Sequence, residues 1–171
     1  MSQTAVQHDV LRIADIDPDN VNRFLDRFGL RAEWIADGAP ITASFWGDPE
    51  AGIIGHRVFL RGDTPLHSML HEVCHIICMS GDRRAELHRD AGGDDLEESA
   101  VCYLQIMLGD YLAGVGRERL MLDMDAWGYS FRLGSTGRWF REDATDARAW
   151  LEAEGLLTAM GEPRFRLRDP Q

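Results

Sequence analysis

The segment Leu70-His71-Glu72-Val73-Cys74-His75-Ile76-Ile77 contains the pattern His-Glu-x-x-His. On a helix, histidines four residues apart lie one turn apart on the same face, so both imidazoles reach a single zinc ion. The glutamate between them then stands beside the metal, where its carboxylate can take a proton from zinc-activated water. The chemistry implied is metal-assisted hydrolysis, with His71 and His75 as ligands to Zn2+ and Glu72 as general base.

The surrounding residues must hold this pattern on a helix. Thr64 reads as an N-cap, Pro65 as the first helical position and Ser80-Gly81 as the stop, which predicts a helix over 65–79. At about 100° per residue, Leu66, Met69, Leu70, Val73, Ile76 and Ile77 share one broad face, while His67, His71, Cys74, His75 and Cys78 share the opposite one. A surface helix would carry Lys, Glu or Arg on that second face, so the pattern describes the floor of a metal cleft. His67 is eight residues from His75, roughly 12 Å of rise, too far for both to bind one ion. It is read as a cleft-rim, outer-shell or helix-packing residue. Cys74 and Cys78 are potential thiolate ligands, but small buried hydrophobes are the favoured reading.

A catalytic zinc takes a third protein ligand and leaves one position open. A second helix, predicted over 94–112, begins Asp94-Asp95-Leu96-Glu97-Glu98-Ser99-Ala100. Asp94-x-x-Glu97 and Asp95-x-x-Glu98 are both capping boxes, and since the two cannot form together one glutamate is surplus to capping. Glu97 shares a stripe with Ala100, Val101, Leu104 and Leu108, whereas Glu98 leads to Val101, Cys102 and Gln105. A carboxylate heading an apolar, inward-facing stripe needs a partner, and on this reasoning Glu97 is favoured over Glu98 as the third ligand.

At 171 residues, with 44% hydrophobic and 27% charged residues, the chain fits one globular domain. A formal net charge of −11 argues against nucleic-acid binding. Three cysteines without paired spacing read as free thiols. The stretch Met1 to Asp17 shows no secretory signal, and no apolar run is long enough to span a membrane, so the expectation is a cytoplasmic protein. A helix is predicted from Asp17 to Gly29, followed by strands over 31–35, 41–46 and 53–61 in a small, mostly antiparallel sheet. A polar loop is expected over 80–93, an irregular aromatic segment over 123–132 and a last helix over 144–157. The expected fold is therefore α+β: one domain over 1–171, with a helix and sheet (17–62), the metal-binding helices (64–112) and a tail (113–171).

The histidine pattern, followed about twenty residues later by Glu97-Glu98-Ser99-Ala100 on a second helix, resembles the gluzincin metallopeptidases. In its short length and preceding helix and sheet, the chain is most similar to the compact ImmA/IrrE-type proteases, from about Ile41 to Leu108, although Cys74 stands where that type commonly has glycine. The resemblance implies a zincin-like domain and a zinc-dependent peptidase acting on a peptide or protein substrate, with His71, His75 and Glu97 as ligands and Glu72 as base. It also implies that the strand over 53–61 lies along the cleft and pairs with substrate. Tyr129 and Arg132 are candidates for stabilising the oxyanion. Two other readings compete: a non-catalytic zinc-binding regulatory domain with Cys78 or Cys102 as a fourth ligand, and a metal-free interaction domain.

Overall fold

A computed structural model describes residues 9–169. The first eight residues of the stretch read as lacking a secretory signal lie outside that range. Helix α1 (Pro18–Asp26) starts at Asp17, whose side chain accepts the Asp19 amide at 2.9 Å, with proline in the first turn. Strand β1 (Arg31–Ile35) follows. The chain then crosses an irregular stretch, 36–51, before β2 (Gly52–Ile54) and β3 (Arg57–Arg61).

The sheet order is β1-β3-β2, with β1 parallel and β2 antiparallel to β3. The expected mostly antiparallel sheet is thus a mixed one, for two local reasons. The run predicted as one strand over 53–61 reverses at Gly55-His56, where Gly55 adopts a positive φ of 56°. The predicted strand over 41–46 does not form, because Ala43 sits at φ 56° and only Ser44 makes an isolated bridge, to Gly52. Stretch 42–44 crowds Gly52 so closely that a Cβ there would fall 1.8 Å from the Thr42 carbonyl oxygen. β3 is the central strand. Of the strand expected over 53–61 to pair with substrate, the part 57–61 has both edges taken, by β1 and β2.

Helix α2 (Leu66–Cys78) has all of its residues buried and packs between the sheet and α4 (Asp95–Leu108). Pro65, expected inside the helix, is its N-cap. At the other end the buried Arg84 guanidinium donates to the carbonyls of Ile76 and Met79 at 2.9 and 2.8 Å, satisfying groups that a helix terminus leaves open. Arg84 belongs to a short helix, α3 (Gly81–Ala85), inside the predicted polar loop. The aromatic segment is partly helical as well: α5 (Arg117–Trp127) runs into it and stops at Gly128, φ 107°. Helices α6 (Thr136–Glu142) and α7 (Thr145–Ala153) complete an α+β architecture, with α7 against α4. No helix among the described residues is long and apolar enough to cross a membrane.

Candidate metal centre

All residues of α2 are buried, so its polar side chains turn to other protein groups or to the cleft, and His67 Nε2 and His75 Nδ1 have no partner among the described residues. His71 and His75 turn their Nε2 atoms toward each other at 3.1 Å. Glu98 of α4 closes the group, with Oε1 3.2 Å from His71 Nε2 and Oε2 3.2 Å from His75 Nε2. Among the described residues these three form the one cluster of His, Cys, Asp or Glu that could hold a metal ion.

The protonation pattern follows from the groups behind it. The Gln105 amide nitrogen donates to the His67 carbonyl at 2.8 Å, which turns its oxygen toward His71 Nδ1 at 3.0 Å. An amide oxygen only accepts, so Nδ1 of His71 carries a hydrogen whether the ring is charged or neutral, and in the neutral ring the lone pair is left on the Nε2 that faces Glu98 and His75. Acceptors facing one another at such separations need a cation among them, either a proton or a metal ion. Bonds of about 2.0–2.1 Å to a tetrahedral ion would set its ligand atoms about 3.3 Å apart, close to the spacings found. Burial opposes ionisation of Glu98, but the hydrogen bonds and charge of His71 and His75 outweigh it and hold the carboxyl well below its usual range. The donor set therefore fits a metal ion.

The structure departs from the sequence reading at the third position. Glu97 is buried at the root of α4, where both its oxygens accept from Arg83 Nη1 of α3, at 3.0 and 2.8 Å. The partner that its apolar stripe demanded is an arginine. Asp94 is the N-cap, accepting the Glu97 amide at 2.8 Å. The clue to Glu98 lay one and two turns further along α4. Cys102 and Gln105 continue its line, and Gln105 is the only amide in the otherwise largely apolar run 100–108.

Glu72 lies beside the cluster, nearly buried, in the wall of a cleft of about 340 Å³ shared with His71, His75 and Glu98. Burial pushes its carboxyl up, against the pull of the two histidines. His71 and Glu98 also border a second arm of about 490 Å³, walled by Trp46, Trp127, Tyr129 and Phe131.

The remaining candidates separate clearly. Tyr129 reaches the site: its ring stands edge-on to His71, and its hydroxyl lies 3.1 Å from His67 Nδ1 and 3.4 Å from Gln105 Nε2. Burial pushes its hydroxyl up to about 12. Arg132 does not reach the site, since it forks onto Asp143 at 2.8 Å through two nitrogens on the exposed surface. His67 is buried against Trp127 and Tyr129, and its Nε2 has no partner among the described residues. Burial first, then His71 and Arg12, push its imidazole down to about 3. Cys74 and Cys78 are buried free thiols pushed up by burial, and neither they nor Cys102 belong to the metal cluster. Comparison of the chain with protein-family models, curated proteins and solved structures found no match.

Proposed function

We propose that the protein is a zinc-dependent metallopeptidase of the gluzincin kind, with a zincin-like fold, in which His71, His75 and Glu98 hold the metal and Glu72 is the general base. One observation carries this reading: two imidazole Nε2 atoms and a carboxylate converge at 3.1–3.2 Å beside a nearly buried glutamate that opens on a cleft. Bound zinc would supply Lewis-acid activation of water and of the substrate carbonyl. Gln105 holds His71 in the tautomer that points its lone pair at the ion, so little reorganisation accompanies binding.

Glu72 moves the proton. Its carboxylate accepts a hydrogen from the attacking water as the new carbon–oxygen bond forms. It then returns that proton to the amide nitrogen as the carbon–nitrogen bond breaks, giving a carboxylic acid and an amine, which become carboxylate and ammonium when the acid's proton passes to the amine through solvent. A carboxylate that lies beside the ligands and lines the cleft is placed for both halves of this transfer. Tyr129 borders the cleft, but its hydroxyl faces His67 and Gln105, which assigns it to orienting the histidine shell.

The test is Glu72→Gln, which preserves shape but cannot accept the proton. At equal zinc content, a mixed peptide library read by mass spectrometry should show new termini with the wild type and at least ~10²-fold slower cleavage with the variant. Undiminished cleavage by the variant contradicts the assignment of Glu72. A purely structural zinc site predicts no cleavage by either protein.

A further inference from the structure

The larger arm of the cleft combines two features that the hydrolytic reading does not use. Its walls are the rings of Trp46, Trp127, Tyr129 and Phe131, and Glu50 stands among them beside His71 and Glu98. Trp46 is 66% exposed and forms an edge-to-face pair with Phe45, so the aromatic rim is open to an incoming chain. Glu50 is half-buried and accepts a hydrogen bond from Trp127, and no ion pair joins it to a cation among the described residues.

We propose that this arm receives a cationic side chain of the substrate, arginine or lysine, next to the scissile bond, with its stem against the aromatic rings and its charged head on Glu50. The proposal rests on the metallopeptidase reading for the position of the scissile bond. With a divalent ion on His71, His75 and Glu98, two of the three carboxylates Glu98, Glu72 and Glu50 are balanced and the third is not. A neutral apolar side chain filling the arm would strip water from Glu50 without replacing it, which is costly for a carboxylate. A guanidinium or ammonium replaces that water with an ion pair, and indole and phenol faces attract it further. An N-terminal α-ammonium would supply the charge but has no methylene stem for the four rings to cover.

Binding to the intact zinc-loaded protein tests this directly, read by intrinsic tryptophan fluorescence. The probes are N-acetylated, C-amidated tripeptides with arginine, norleucine or glutamate between two alanines, and an uncapped norleucine peptide. The arginine peptide should bind at least ~10-fold tighter than the norleucine peptide, and the glutamate peptide weakest. Glu50→Gln, checked for zinc content and circular dichroism, should bring arginine and norleucine to near equality. Trp46→Ala removes an exposed ring and tests the pocket independently of any folding effect at Glu50: it should weaken the arginine peptide more than the norleucine peptide. Equal binding of these two peptides by the wild type, or a preference that survives Glu50→Gln, would overturn the proposal. So would equal weakening by Trp46→Ala, or tightest binding by the uncapped peptide. An arginine preference in binding without cleavage of any peptide counts against the peptidase reading and leaves the pocket assignment standing.

Discussion

Glu97 forks onto Arg83 at the buried root of α4, while Glu98, one residue on, faces the imidazoles of α2 across a half-exposed cleft wall. Their substitutions should therefore part company. Glu98→Ala should reduce zinc after dialysis from near one per chain to near zero, because two histidines compete poorly with buffer and chelators. Glu97→Ala should keep its zinc but lose about 1–3 kcal/mol of stability, because Arg83 Nη1 loses its acceptor while Nη2 keeps the Ala91 carbonyl. Metal analysis together with urea unfolding distinguishes them, and zinc loss confined to Glu97→Ala would restore Glu97 as ligand. His67 offers a pH signature at the same scale. Its imidazole is held at about 3 in the folded protein against an ordinary 6.5. The neutral ring's contribution is thus complete above pH ~6.5, and it is lost as pH falls toward the folded value. Between pH 7.5 and pH 5, the chelated wild type should lose about 2 kcal/mol more stability than chelated His67→Gln. Equal losses would mean that His67 is not held neutral.

At the scale of elements, the stretch 36–51 joins β1 to β2 and carries Phe45, Trp46 and Glu50 to the cleft. Its anchors are specific. Arg61 at the end of β3 donates to the Ala39 carbonyl at 2.6 Å and to Asp48 at 3.0 Å, and Asp48 accepts the Ile41 amide at 3.0 Å. The Ala51 amide donates to Ser68 of α2 at 3.0 Å, tying the stretch to the helix that carries the histidine pair. Gly52 is the tightest point of this junction, since a methyl group there would overlap the Thr42 carbonyl oxygen. Gly52→Ala should cost about 1–3 kcal/mol by forcing that backbone aside. It should also shift the fluorescence of Trp46, while zinc stays bound because no ligand lies on the displaced stretch. An unchanged unfolding midpoint would show that the junction yields freely.

For the whole molecule, α2 carries both a large part of the hydrophobic core and the histidine pair. The helix is therefore fixed by apolar burial on the sheet and α4 before any ion arrives, unlike small zinc modules that fold only with metal. Chelation should lower the melting temperature by about 5–10 °C through lost binding energy, with one cooperative transition and an unchanged far-ultraviolet circular dichroism spectrum. Collapse of the helical signal on chelation would show instead that the metal organises the fold.

What could be read from the residues alone was whatever depends on neighbours along one element. His71, Glu72 and His75 share a helix whose capping, apolar back and i, i+4 spacing are all local. The α+β class and the helices around positions 18, 66 and 95 follow from the same periodicities. The third member of the cluster was not local. Its identity depends on how α4 is rotated about its axis, and that rotation is set by packing of Ala100, Leu104 and Leu108 into the core and by Arg83 reaching Glu97 from another helix. A one-residue change of register turns a helix by about 100°, enough to exchange Glu97 for Glu98. The sheet pairing and the aromatic arm depend likewise on a backbone reversal at Gly55 and on the path of 36–51. Tertiary structure decided these, because side chains distant in sequence meet only when several elements have settled their orientation together.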